Sequence, residues 1–195
     1  MSPDLSSYDN SWYNPGRGAF VRALWFFLGL PLLRSNLNPV SSLRRALLRI
    51  FGARIGRAVE IKPGVQVKYP WNLTVGANSW IGESVWIDNL CSVAIGSNAC
   101  ISQGAYLCTG NHDWSDPGFG LIVKPIAVGN GAWLGAKSFV SPGVKIGECA
   151  ITAAGSVVTK DIPPFEIHAG NPAHFIRRRE IRHADAHKIA STAAV

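Results

Sequence analysis

From Ile55 onward the chain carries an apolar residue at every sixth position, a rhythm unlike that of an ordinary helix or strand. The leading residues are Ile55, Ile61, Val67, Val75, Ile81, Ile87, Ile95, Ile101, Leu107, Val128, Leu134, Val140, Ile146, Thr152 and Val158, and only Thr152 is not aliphatic. Four residues after each comes a small or aliphatic side chain, with Trp71 and Asn111 as the exceptions. A period of six suits short strands joined by tight corners, one hexapeptide per flat side of a parallel β-helix, with both positions pointing inward. Glycine follows the leading residue at Gly56, Gly76, Gly82, Gly96, Gly129, Gly135 and Gly147, which reads as backbone freedom at the corners. By the same rule Cys91 fills a core position.

The rhythm is interrupted after the third, sixth and ninth hexapeptides: at Leu73-Thr74, at Val93-Ala94, and by the stretch Asp113 to Ala127. If three hexapeptides make one triangular coil, all three insertions leave from the same corner. Five coils follow, in a prism about 24 Å long at the usual spacing of stacked strands. His112 stands where the largest insertion departs.

The flanks divide the chain into residues 1–54, the repeat over 55–163 with its excursion 113–127, and a terminal part over 164–195. Residues 1–18 are polar and turn-rich, an irregular arm. Phe20 to Leu33 is nearly all apolar, but it contains Arg22 and Pro31 and is too short to span a bilayer. Asn38-Pro39 followed by Leu43, Ala46, Leu47, Ile50 and Phe51 predicts an amphipathic helix with Arg44, Arg45 and Arg49 on its other side. Its apolar side either covers the open end of the prism or, with the preceding segment, rests in membrane headgroups, so residues 20–51 are a candidate peripheral membrane contact. Gly170-Asn171-Pro172 marks a turn, and Ala173 to Ala190 reads as a basic C-terminal helix.

Composition narrows the partners. Net charge is +7, with the arginines concentrated near both ends rather than along the repeat, and no nucleic-acid reader motif appears. The four cysteines lack metal-ligand spacing, which favours reduced thiols in a cytoplasmic protein, and no signal peptide is evident.

The repeat, Thr109-Gly110-Asn111-His112-Asp113-Trp114, the run Ser156 to Pro163, and Ala169-Gly170-Asn171-Pro172-Ala173 together resemble the hexapeptide acyltransferases. Within them the chain is most similar to the colanic-acid-biosynthesis type of sugar O-acetyltransferase, through Ser11 to Gly18 and Arg34 to Pro39 as well; the galactoside and maltose acetyltransferases are more distant. The resemblance implies a mainly β protein with a left-handed parallel β-helix, acetyl-CoA as donor, no metal, and a homotrimer with sites between subunits. It implies a sugar hydroxyl as acceptor, lipid-linked, polymeric or free, in cell-surface or exported polysaccharide synthesis at the inner face of the cytoplasmic membrane.

By matching position, His112 is the implied general base and the Ala136 backbone amide the implied donor to the oxyanion. Trp133, Gly135, Ala136, Ala154, Thr159, Lys160 and Arg177 are implied coenzyme contacts, although Trp133 also reads as an aromatic packed between subunits. His174 stands where many relatives carry Arg or Lys. For the acceptor the implied residues are Asp88, Asn89, Asp113 and Trp114. Asp113 either accepts a sugar hydrogen bond or caps its turn, and Trp114 and Phe119 either stack on sugar rings or pack on a neighbouring subunit. Other readings are an acetyltransferase of a free sugar or a xenobiotic, and a non-catalytic scaffold at the membrane. A zinc enzyme on this architecture would need several histidines inside the repeat, which holds only His112.

Overall fold

Each hexapeptide folds into a strand of two or three residues, and the strands stack into three parallel faces. This computed structural model describes residues 2–37 and 40–181. The first face stacks Arg54–Ile55, Leu73–Val75, Val93–Ile95, Ile126–Val128 and Lys145–Ile146. The second begins at Glu60–Ile61 and runs through Trp80–Ile81, Cys100–Ile101, Trp133–Leu134 and Ile151–Thr152. The third runs from Gln66–Val67 through Trp86–Asp88, Tyr106–Cys108 and Phe139–Val140 to Val157–Val158. Leading residues pair with leading residues, as Ile55 with Val75 and Ile61 with Ile81, so five coils stack in register. Ile162 then bridges to Ile146 and Glu166–Ala169 pairs with Ile151–Thr152, the start of a sixth.

All the leading residues are buried, and so are the small residues four places later, except Trp71, Cys91 and Asn111. These three share the corner between the third and first faces. The insertions there shift the inward register, so that Leu73, Val93 and Ile126, each two residues before the next leading position, are buried instead. Cys91 is therefore not the core filler its spacing suggested; it is half-buried on the corner.

The seven glycines also have a different reason from the expected one. None has a positive φ; that conformation falls two residues further on, at Ala58, Asn78, Ser84, Asn98 and their equivalents. The glycines are needed because the next coil passes close by: a Cβ on Gly76 would lie 2.4 Å from the Ser97 nitrogen, and one on Gly135 would lie 2.5 Å from that of Ala154.

The open end at the first coil is covered by α1 (Ala19–Leu24), a π-helical turn (Trp25–Gly29), α2 (Leu30–Arg34) and α3 (Ser41–Ile50). Trp25 is buried and donates its indole N–H to the Val67 carbonyl at 3.0 Å. Gly29 lets its ring lie flat, since a Cβ there would sit 2.2 Å from the indole. The buried face of α3 is only partly the expected one: Leu47 and Phe51 pack against the core and Leu48 is buried, but the helix is turned so that Arg44 is enclosed and Leu43 and Ile50 face outward. Arg44 is 1% exposed, while Leu43 is 57% and Ile50 79% exposed. The end of a β-helix presents unpaired carbonyls, and guanidinium donors satisfy them where leucine could not. Arg45 bonds the Val59 carbonyl at 2.6 Å and Arg49 the carbonyls of Ile55 and Gly56 at 2.8 and 2.9 Å, while Arg44 reaches that of Ile61 at 3.3 Å. The two residues expected to start this helix, Asn38 and Pro39, lie outside the described residues.

At the far end the expected helix over Ala173 to Ala190 is replaced, within the described residues, by a strand. After the turn at 170–173, His174–Arg178 returns antiparallel along Glu166–Ala169. The last parallel strand leaves an open edge, and a returning strand pairs with it, as no helix could. The rest of that expected helix lies outside the described residues. Among the described residues no helix is long and apolar enough to cross a membrane.

Candidate active site

The largest insertion is a β-hairpin, and it begins earlier than the break in the rhythm suggests. Gly110–His112 pairs antiparallel with Leu121–Val123, and Ile126 already belongs to the first face. His112 is thus on the hairpin rather than at the end of a prism strand. Two aspartates shape the hairpin tip. Asp113 accepts from the backbone N–H and hydroxyl of Ser115, and Asp116 from the N–H groups of Gly118 and Gly120. The Ser115 bonds hold the Asp113 carboxyl below its ordinary value, so this residue caps the turn. Phe119, at φ +54°, comes back against His112, with ring centroids 4.4 Å apart and planes 10° from parallel.

His112 Nδ1 lies 2.8 Å from the Phe119 carbonyl oxygen. A carbonyl only accepts, so Nδ1 carries the proton, and the neutral ring has its lone pair on Nε2. The ring faces a cleft of about 640 Å³ whose wall includes Tyr8, Tyr13, Arg22, Lys68, Asp88 and Tyr106. Asp88 is held by the Lys68 ammonium at 3.1 Å and the Tyr106 hydroxyl at 3.2 Å. Burial pushes the Tyr13 and Tyr106 phenols up, so both remain neutral. Tyr13 donates to the Leu90 carbonyl at 2.6 Å. Burial likewise raises the Cys91 thiol, which argues against a reactive thiolate there.

Of the residues expected at the acceptor, Asp88 lines this cleft. Asn89 does not: it is buried and locked to the Tyr69 backbone, accepting from its N–H at 2.9 Å and donating to its carbonyl at 2.7 Å. Asp113 and Trp114 lie outside the cleft lining, and Trp114 is 84% exposed at the tip. The residues that sequence reasoning missed come largely from the N-terminal arm. Asp4 donates its N–H to the Pro117 carbonyl at 2.9 Å, and Trp71 donates to that of Pro15 at 2.6 Å. These bonds lay the arm along the hairpin, with Tyr8 5.7 Å from the His112 ring. The resemblance over Ser11 to Gly18 was the available signal.

A second groove, of about 510 Å³, runs along the second face and its corner with the third. Trp133, Gly135, Ala136, Ala154 and Arg177 line it, with Ser102 and Gln103. Gly135, Ala136, Ala153 and Ala154 make its floor narrow and open, as a long thin substituent requires. The Ala136 N–H donates to no described residue, whereas Gly135 donates to the Thr152 carbonyl at 2.8 Å. Trp133 donates to the Ser102 hydroxyl at 2.8 Å. Thr159 and Lys160 are exposed after the last strand of the third face and do not line this groove, and His174 is exposed as well.

The cleft and the groove share no lining residue. They occupy two different edges of the prism, separated by the third face, whose outer surface carries Trp86 stacked on Tyr106 at 4.3 Å and Phe139 edge-on to Tyr106 at 5.2 Å. Among the described residues no cluster of His, Cys, Asp and Glu could hold a metal ion.

Residues 125–160 match the family model described as the hexapeptide repeat of succinyl-transferase. WcaF of Escherichia coli (strain K12), an acetyltransferase assigned to colanic acid biosynthesis, is 38% identical over 176 residues, 90% of this chain and 97% of that protein. Among solved structures, a maltose O-acetyltransferase from Clostridium difficile 630 superposes with a TM-score of 0.75 at 26% identity, covering 84% of this chain and 90% of the other. A galactoside acetyltransferase in complex with coenzyme A gives 0.72 at 29%, covering 83% and 82%. With its left-handed β-helix, this chain belongs to the hexapeptide-repeat acetyltransferases.

Proposed function

We propose that this protein transfers the acetyl group of acetyl-CoA directly to a hydroxyl of a sugar used in cell-surface polysaccharide synthesis, on the cytoplasmic side of the membrane. The observation that carries this reading is the bond from His112 Nδ1 to the Phe119 carbonyl. It leaves Nε2 as an acceptor facing a polar cleft, the state a general base needs.

In the proposed step His112 Nε2 takes the hydroxyl proton as the sugar oxygen bonds to the thioester carbonyl carbon. The Ala136 N–H donates to the oxygen that becomes negative. The carbon–sulfur bond then breaks, and the imidazolium returns its proton to the departing sulfur, giving an acetyl ester and the free thiol of the coenzyme. Along the groove, Trp133 flanks the coenzyme's arm, Gly135 and Ala154 leave it room, and Arg177 supplies a cation for its phosphates; Thr159 and Lys160 serve its outer end. Asp88 orients the sugar.

His112 and Ala136 lie on separate edges of one chain, so the reaction needs two copies side by side. A trimer about a three-fold axis places each chain's cleft against its neighbour's groove, with the aromatic residues of the third face near the contact. The test is release of coenzyme A from acetyl-CoA across a panel of free, polymeric and lipid-linked oligosaccharides, with the acetylated position read by NMR and the His112→Ala protein as blank. Release that is independent of any sugar, or unaffected in His112→Ala, would contradict the proposal.

A further inference from the structure

The groove that holds Ala136 does not end there. The strands of the second face stack in register, so the corner residues that follow them form one column along the prism: Ala153-Ala154, Gly135-Ala136, Ser102-Gln103 and Gly82-Glu83. Successive steps are about 4.8 Å apart. Up to Ala136 the column is made of small residues, and one coil further Ser102 and Gln103 raise it. There Trp133 leans back by a coil. Its backbone pairs with Cys100, and its indole N–H donates to the Ser102 hydroxyl at 2.8 Å. Past this contact, and sharing Ser102 and Gln103 with the groove, lies a depression of about 230 Å³ along Trp80, Gly82 and Cys100, with Glu60 and Lys62 at its first-coil end. Trp133 lines the groove and not the depression, whereas Trp80 and Cys100 line the depression and not the groove. The indole is thus the wall between the two.

Resting on the coenzyme placement proposed above, we infer that Trp133 sets the length of the acyl group this enzyme accepts. With the arm passing Ala154 and the thioester oxygen on the Ala136 N–H, the acyl group extends along the column toward Ser102. The two carbons of an acetyl group fit before the indole, and a third and fourth meet the ring. Without the ring they would enter the depression, where Trp80 and Cys100 offer an apolar wall to a short chain. The bond to Ser102 makes the wall firm, because a tryptophan with 45% of its surface exposed has little else to hold it across the column.

The test is calorimetric titration of acetyl-CoA and butyryl-CoA into each protein, read as the ratio of the two Kd values, so that a general effect of a substitution on coenzyme binding cancels. The wild type is expected to bind acetyl-CoA more tightly by about tenfold or more. Trp133→Ala should move the ratio toward butyryl-CoA by about tenfold, since two methylenes then gain an apolar wall. Ser102→Ala keeps the ring and removes its anchor; it should move the ratio the same way by about threefold, and it carries the test if Trp133→Ala does not fold. Adding Cys100→Phe to Trp133→Ala fills the depression and should return the ratio toward the wild-type value. A ratio unchanged in both Trp133→Ala and Ser102→Ala would overturn the inference and leave Trp133 as a packing residue. A shift that Cys100→Phe does not reverse would overturn the assignment of the depression to the acyl chain. If the wild type binds neither compound, the coenzyme placement falls and takes the inference with it; if it binds acetyl-CoA and the variants keep its preference, the inference alone falls.

Discussion

His112 and Phe119 hold one another twice, through a 2.8 Å bond from Nδ1 to the backbone carbonyl and through stacked rings 4.4 Å apart. The first contact fixes the tautomer and the second fixes the ring plane, so an imidazole on a surface hairpin is as well positioned as one on a strand. Replacing His112 by Ala is expected to lower kcat by about 10² to 10⁴ while leaving the circular dichroism spectrum and melting temperature unchanged. Nitrogen NMR of the wild type should show the proton on Nδ1; a dominant Nε2–H form would remove the basis of the assignment.

The buried Arg44 beside the exposed Leu43 makes a contrast in α3 that stability measurements can read. Arg44→Leu removes donors from carbonyls at the open end of the prism and is expected to cost about 1.5 to 3 kcal/mol in chemical denaturation. Leu43→Ser and Ile50→Ser, at exposed apolar positions, are expected to stay within about 0.5 kcal/mol. If the leucine and isoleucine substitutions proved the costly ones, α3 would be packed the other way round.

Gly135→Ala probes coil spacing and groove together. The added Cβ would meet Ala154 N at 2.5 Å and the Thr152 carbonyl oxygen at 2.6 Å, both backbone atoms that cannot swing aside. The coils must separate locally, at a cost of about 1 to 3 kcal/mol. Because Ala136 and Ala154 line the same groove, the KM for acetyl-CoA should rise with the loss of stability. An unchanged melting temperature would mean that the coils are not packed this closely.

The solenoid was legible because its signal is periodic. Ile55 through Val158 alternate with small residues so regularly that the three faces and the insertion corner follow from counting. What the period could not carry were the places where it stops. At Cys91 and Asn111 the insertions shift which residue points inward, and a count that runs straight through them assigns the wrong one. Gly110 and His112 keep the spacing of a prism strand but pair with Leu121–Val123 instead, because the hairpin offers them a closer partner. In α3 the hydrophobic pattern favoured Leu43 and Ile50 along with Leu47 and Phe51, but the surface awaiting the helix included a rim of carbonyls, and the helix turned to bring Arg44 inward beside Leu48 while Leu47 and Phe51 kept their contact with the core. Arg22 and Lys68 had no motif to announce them, and Tyr13 lay in a matching stretch that carried no role; only the folded arm and helix bring them beside His112.

One chain presents His112 and the groove on different edges, and the most direct test of the proposed account is to separate the two by mutation and recombine them. His112→Ala leaves an intact groove without a base, and Ala154→Trp leaves a base with the groove blocked. Each protein alone should be inactive. When the two are unfolded together and refolded as mixed assemblies of the proposed trimer, about a quarter of the sites should combine an intact cleft with an intact neighbouring groove by random assortment. Acetyl transfer at about that fraction of wild-type activity is the expected result. No recovery in mixed trimers whose composition is confirmed by native mass spectrometry would contradict it and place the whole site within one chain.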